Sequence, residues 1–347
     1  MQIGSFDEGG TPPLHGEVGE VGIPQAVAEG VWRIPLPIPF PPGTVNVAVL
    51  HGDGQWVLVD CGLGTRSSDA ALARGLAALG IAPTDLAALV LTHAHPDHIG
   101  PAGDLIAQMA PTAQVVMLAD EAERMHRVWG ALDFSGMAAA QEASGLTKEQ
   151  SAQGVQIMHQ LAASLRLPPR DRIQGVSAGE EIALAGRRWQ VIWTPGHAEG
   201  HLCLASDPIV IVGDHILPQI SPNIGFFAQS RRDPIQDYLD GLERVAALAY
   251  AEPLALPGHG AHFTALKARI AALQAATTRR SDHARVALAE GPATGLTITL
   301  RLFAERLHAP ADVWLALGET VSHLEHLVAT NHATRSIRDG VVWYAPQ

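Results

Sequence analysis

Residues 87–98 read Ala87-Ala88-Leu89-Val90-Leu91-Thr92-His93-Ala94-His95-Pro96-Asp97-His98, an apolar run that ends abruptly in three histidines and an aspartate. The run is short and bounded by a polar loop, the pattern of a buried strand. An extended chain sends side chains two positions apart to the same side, so His93 and His95 face one way. Asp97 and His98 point elsewhere as the chain turns into a helix. One loop thereby feeds two adjacent metal sites, because imidazole and carboxylate are ordinary ligands for a divalent ion.

Upstream of this loop the sequence alternates in the manner of strands. Val31-Trp32-Arg33-Ile34, the Pro-rich stretch that follows, residues 44–50 and residues 55–60 read as successive strands with turn-formers between them. His51-Gly52-Asp53-Gly54 reads as a hairpin turn, since Asp-Gly tolerates positive φ. Residues 67–79 carry Ala and Leu at helical spacing. Residues 1–29 read as an extended arm rich in Gly and Pro.

Downstream, Val115-Val116-Met117-Leu118 is a further strand, and residues 119–170 then break the alternation with helical material. In that insertion Thr147 and Gln150 are spaced as a capping box, and Val155, Met158, Leu161, Ala162 and Leu165 form one apolar stripe. The insertion reads either as a lid over a site or as a packed decoration. Strand patterns return at Trp189-Gln190-Val191-Ile192-Trp193 and Ile209-Val210-Ile211-Val212, each ending at a candidate ligand, His197 and Asp214. Strand-end loops are where sites are usually built. Beyond Gly260 the β signal fades into helices and a final hairpin around Asp339-Gly340, which places a domain boundary near residue 261.

The whole chain of 347 residues is 47% hydrophobic and 17% charged, an ordinary globular composition with enough apolar material for a large core. No run of about 18 apolar residues suggests a membrane span, and the acidic, Gly-rich start does not resemble a secretory signal. Only Cys61 and Cys203 are present, which fits a reducing, cytoplasmic compartment and two small core residues rather than a disulfide framework. A formal net charge of −12 argues against broad electrostatic capture of nucleic acid. Histidine, at 17 residues, is the outlier.

The Thr-His-x-His-x-Asp-His pattern at 92–98 resembles the signature of the metallo-β-lactamase superfamily. Other motifs similar to that family's follow the same order: Leu58-Val59-Asp60-Cys61-Gly62, Thr194-Pro195-Gly196-His197, Gly213-Asp214 and Pro257-Gly258-His259-Gly260. The resemblance covers residues 30–260 and implies an α/β fold, the four-layer αββα sandwich. It also implies a small, mainly helical, winged-helix-like C-terminal domain over residues 261–347.

Carried over residue by residue, the resemblance assigns His93, His95 and His197 to one zinc ion and Asp97, His98 and His259 to a second, with Asp214 between them. That pattern is similar to the glyoxalase II and ribonuclease Z branches, whereas true β-lactamases of the superfamily lack the bridging aspartate. It implies a hydrolase that uses a hydroxide shared by two metals, with Asp97 orienting it and receiving its proton. Nitrogen and oxygen ligation suits zinc and also admits iron or manganese, although the oxygen-reducing di-iron branch has a glutamate where His95 stands. Asp60 is expected to accept a hydrogen bond from a ligating imidazole. His201 is expected to be structural. His215, next to the bridging aspartate, reads either as the proton donor to the leaving group or as a satisfied, non-catalytic histidine.

Lactonases of the superfamily place a tyrosine where Leu217 stands, which weakens that reading. In the tail, residues 314–334 contain no Lys or Arg, so a groove-reading helix is not indicated. The tail reads instead as a packing or homodimerisation module that closes one side of the cleft. Small esters, thioesters or lactones are the first substrate expectation, and endoribonuclease activity the second.

Overall fold

The computed structural model describes residues 19–226 and 231–347. A seven-stranded sheet runs in sequence order through β1 (Gln25–Ala28), β2 (Val31–Pro37), β3 (Thr44–Gly52), β4 (Gln55–Val59), β5 (Leu86–Val90), β6 (Gln114–Leu118) and β7 (Ile173–Val176). Strands β1 to β4 pair antiparallel, and β4 to β7 pair parallel. A five-stranded sheet holds β8 (Glu181–Leu184), β9 (Arg187–Trp193), β10 (Leu202–Ser206), β11 (Ile209–Gly213) and β12 (Leu254–Pro257). The two sheets face each other, and helices cover both outer faces.

Period-two alternation builds these layers directly. In β3, Val45, Val47 and Val49 point to the outer helices, whereas Ala48 and Leu50 point into the space between the sheets. In β5, Leu89 goes outward while Ala88 and Val90 go inward. The inter-sheet core is closed from the other side by Trp189, Val191, Leu202, Leu204, Ile209 and Ile211. The hairpin between β3 and β4 is a two-residue turn with Asp53 at φ 48° and Gly54 at φ 72°, both in the left-handed region such a turn needs.

Helices α1 (Arg66–Ala78), α2 (Pro96–Ile99) and α3 (Ala102–Gln108) follow β4 and β5. The expected insertion forms α4 (Ala119–Met125), a π turn at His126–Gly130, α5 (Ser135–Ala143) and α6 (Lys148–Ala162). The capping box at its last helix is present: Gln150 N–H donates to Thr147 Oγ1 at 3.2 Å, and Thr147 N–H to Gln150 Oε1 at 2.9 Å. Beyond the insertion, α7 (Pro234–Ala246) packs Ile235, Tyr238, Leu242 and Val245 against the outer face of the second sheet.

At the N-terminus the structure differs from the sequence reading, and the division expected near residue 261 falls beside a long helix. Of the N-terminal arm, residues 1–18 lie outside the described residues, and Gln25–Ala28 already form strand β1 of the sheet, because Gly30 at φ 69° turns β1 back onto β2. The division expected near residue 261 precedes one unbroken helix, α8 (Leu266–Leu288). Its first half, through Leu266, Ile270 and Leu273, packs on the second sheet, and its last turns, through Ala284 and Leu288, belong to the core of the tail. That tail adds α9 (Gly295–Phe303), α10 (Pro310–Ala329) and a small antiparallel sheet of β13 (Ala293–Thr294), β14 (Ala333–Arg338) and β15 (Val341–Pro346). Helix α10 is buried continuously from Ala316 to Leu324. Among the described residues no helix is long and apolar enough to cross a membrane.

Candidate metal centre

Four loops at strand ends converge on one point. The loop after β5 brings His93, His95, Asp97 and His98; that after β9 brings His197; the end of β11 brings Asp214; and the end of β12 brings His259. All seven side chains come together in three overlapping groups: His93, His95 and His197; His93, His98 and Asp214; and Asp97, His98 and His259, with the donor atoms inside each group within 4.8 Å of one another. Asp214 faces both ends, with Oδ1 3.5 Å from His98 Nε2 and Oδ2 3.5 Å from His197 Nε2 and 3.2 Å from His259 Nε2. Asp97 Oδ2 lies 3.4 Å from His259 Nε2.

Four of the imidazoles are held by Nδ1, which leaves Nε2 aimed inward. His98 Nδ1 lies 2.8 Å from Asp60 Oδ2, His259 Nδ1 donates to Thr44 O at 2.7 Å, His197 Nδ1 to Asn223 O at 2.9 Å, and His93 Nδ1 meets Thr92 Oγ1 at 3.0 Å. The inward atoms have no hydrogen-bond partner: Nε2 of His93, His98 and His197 and Oδ1 of Asp214 are all buried and unsatisfied. Buried polar atoms are rarely left so, and here they surround a common space. An all-nitrogen-and-oxygen donor set with this convergence fits a divalent cation.

Around that set a layer of polar groups fixes the loops. Asp60 accepts from Thr92 N–H through Oδ1 and from Thr92 Oγ1 through Oδ2, both at 2.8 Å. His201 accepts the Asp214 N–H on Nε2 at 3.1 Å and donates from Nδ1 to Thr194 Oγ1 at 2.8 Å, so it orients Asp214 and does not itself face the centre. Glycine is required at 258, because a Cβ there would collide with Asp214 Oδ1 and His98.

Sequence reasoning missed several of the positioning groups. Glu121, at the start of α4, joins two ligand loops by accepting Ala94 N–H and Gly200 N–H, each at 3.0 Å, and burial raises its carboxyl. Nothing in local spacing marks it. Asn46 donates to Pro257 O at 2.9 Å and Gly260 O at 2.8 Å, clamping the loop of His259. Its signal was available: it is the one polar residue in the otherwise apolar run 45–50.

Electrostatics within the cluster are opposed. Burial depresses His93 and His197, and it pushes His95 down to about 3, so these rings stay neutral with a lone pair to offer. Burial acts the same way on His259, but Asp214 and Asp97 outweigh it and lift that ring to about 10. His98 is likewise held well above the ordinary histidine range by Asp214, Asp60 and Asp97 against the effect of burial. The carboxylates therefore demand positive charge, which protons or a cation can supply.

The centre forms the floor of a cavity of about 470 Å³. The insertion supplies one wall through Trp129, Phe134, Met137, Met158 and Leu161, and the tail supplies another through Phe303, Trp314 and Leu315. Trp129 Nε1–H also donates to Ala94 O at 2.8 Å, which ties the π turn to the ligand loop. From the tail, Arg280 and Glu319 lie 3.6 Å apart, Glu319 Oε2 accepts Asn223 Nδ2–H at 3.0 Å, and the Asn223 carbonyl holds His197. Of the two readings of His215, the geometry favours the non-catalytic one. His215 is 0% exposed, its ring lies edge-on to Tyr238 of α7 at 5.0 Å, and it is not among the residues that line the cavity.

Comparison with known proteins agrees with this architecture. The profile of the Metallo-beta-lactamase superfamily matches residues 40–259, and that of the Metallo-beta-lactamase-like C-terminal domain matches residues 282–347. The Bacillus subtilis protein named probable metallo-hydrolase YqjP is 27% identical over 332 residues, spanning 91% of this chain and 98% of that one. The crystal structure of a metallo-beta-lactamase family protein from Thermus thermophilus has a TM-score of 0.81 at 31% identity, covering 93% of this chain and 100% of its own. A beta-lactamase domain protein from Burkholderia ambifaria has a TM-score of 0.82 at 28% identity, covering 94% and 95%. The chain therefore belongs to the metallo-beta-lactamase superfamily, and it is a metal-dependent hydrolase.

Proposed function

We propose that this hydrolase holds two zinc ions and cleaves esters, thioesters or lactones. His93, His95 and His197 would hold one ion, Asp97, His98 and His259 the other, and Asp214 would reach both. The observation that carries this reading is the ring of buried, unsatisfied Nε2 and Oδ1 atoms at the floor of a largely apolar cavity. Bound zinc supplies a Lewis acid for the substrate carbonyl and lowers the pKa of water from 15.7 to about 7.

The chain's own groups do the rest. Asp97 is only 9% exposed and borders the cavity, so its carboxylate accepts the proton released as water adds to the carbonyl. With His215 sealed under α7, the same carboxylate returns that proton to the departing oxygen or sulfur. The walls from the insertion and the tail keep bulk water from the reacting carbon. A nucleic-acid substrate is disfavoured because α10, which a winged helix would offer to a groove, is buried along its middle.

The test is removal of metal by chelation, then reconstitution with zinc, iron or manganese separately, with metal content measured and a panel of thioesters, lactones and single-stranded RNA assayed. Activity should vanish and return with two equivalents of zinc. Activity indifferent to chelation, or cleavage of RNA alone, would refute the proposal.

A further inference from the structure

Three arginines and no lysine occur among the described residues that line the cavity, and each arginine faces a carboxylate. Arg124 pairs with Glu199, Arg231 Nε lies 2.6 Å from Asp237 Oδ2, and Arg280 Nη1 lies 3.6 Å from Glu319 Oε1. The cations are thus already balanced by acids of the same wall, and an anionic substrate portion would have to displace one of them. Outside the metal centre, most of the remaining side chains of the insertion and the tail that line the cavity are apolar and adaptable, with Asp133, Ser221 and Asn223 among the polar exceptions along the wall. Met137, Met158 and Leu161 from the insertion face Phe303 and Trp314 from the tail, with Trp129 close to the metal-centre loop. Methionine side chains accommodate flexible apolar ligands of varied length, and a volume of about 470 Å³ exceeds what the reacting carbonyl alone needs.

We infer that the cavity between the helical insertion and the tail binds the apolar acyl chain of an uncharged ester or lactone, and that chain length sets specificity. The inference rests on the ester-hydrolase reading above and narrows its substrate class. Acyl groups carried on strongly anionic leaving groups are the poorer substrates, because no cation is spare to receive them.

The test uses zinc-reconstituted full-length enzyme and a homologous series of neutral phenyl esters from acetyl to decanoyl. Burial of each methylene predicts a rise in kcat/KM of about fourfold per added CH₂ until the cavity is filled. Met137→Gln and Leu161→Gln, both at partly buried positions, should cut decanoyl turnover more than acetyl turnover and flatten the slope. Binding provides a second readout, since Trp129 and Trp314 line the cavity: tryptophan fluorescence titrated with N-methyl alkanamides should report a Kd that tightens with chain length. Turnover that is flat or falling with length overturns the chain inference and leaves the hydrolase reading standing. No turnover on any ester, thioester or lactone, with metal content confirmed, overturns both. A coenzyme A thioester preferred over the neutral ester of the same acyl group also overturns it.

Discussion

Replacing Asp60 with asparagine changes one side-chain oxygen to an amide nitrogen at the point where three hydrogen bonds meet. In the structure Oδ1 accepts Thr92 N–H, and Oδ2 accepts Thr92 Oγ1–H and His98 Nδ1–H, all at 2.8 Å. Asparagine has one oxygen, and Thr92 N–H is a fixed backbone donor that claims it. The amide NH₂ then faces Thr92 Oγ1, which can rotate to accept, and His98 Nδ1, which can accept only by moving its proton to Nε2. That atom is one of the buried, unsatisfied ligand atoms of the centre. A proton there removes the lone pair that a cation needs, so Asp60→Asn should weaken metal binding by about 10- to 100-fold, or roughly 1.4–2.7 kcal/mol. Losing the charge-assisted bond should also lower folding stability by about 1.5–3 kcal/mol. Zinc affinity by competition with a chromophoric chelator reads the first effect, and denaturant unfolding of the metal-free protein reads the second. A folded Asp60→Asn protein with wild-type metal affinity would refute the tautomer argument.

Asp97→Ala should lower kcat by about 10²–10⁴-fold while KM moves little, measured by steady-state kinetics at saturating zinc; unchanged kcat removes Asp97 from proton transfer. Glu319→Ala takes away the acceptor that holds Asn223 and through it His197. On the proposed two-zinc reading it should weaken one equivalent by about tenfold, with Glu319→Gln restoring much of the loss, and metal stoichiometry against free zinc separates this from simple unfolding. Glu121→Gln leaves one of two buried N–H donors, Ala94 or Gly200, without its acceptor; about 1–3 kcal/mol of stability should be lost, visible in urea unfolding. His215→Phe should keep kcat within about threefold of wild type, because the ring touches neither cavity nor donor set; a loss of the size expected for a general acid would return it to the mechanism.

What could be read directly was whatever a short stretch decides alone. The turns at Asp53-Gly54 and Asp339-Gly340 follow from residues that tolerate positive φ, and the Thr147–Gln150 capping box from a three-residue spacing. The layers followed from apolar alternation such as Val45, Val47 and Val49 against Ala48 and Leu50. All seven side chains that the family resemblance assigned meet in one cluster, because each motif sits at a strand end and the sheets bring those ends together. The positions of Glu121, Asn223, Glu319 and Arg280 had no such signal. Their partners lie far along the chain, 79 residues away for Glu121 and Gly200 and 96 for Asn223 and Glu319. The burial of His215 depended likewise on Tyr238 and Gly241 of α7 packing against its ring, which nothing next to it in the sequence announces. Motifs specify what a loop can hold, since backbone geometry and side-chain type are local properties. Which wall faces that loop, and therefore which substrate fits, is decided by long-range packing of the insertion and the tail.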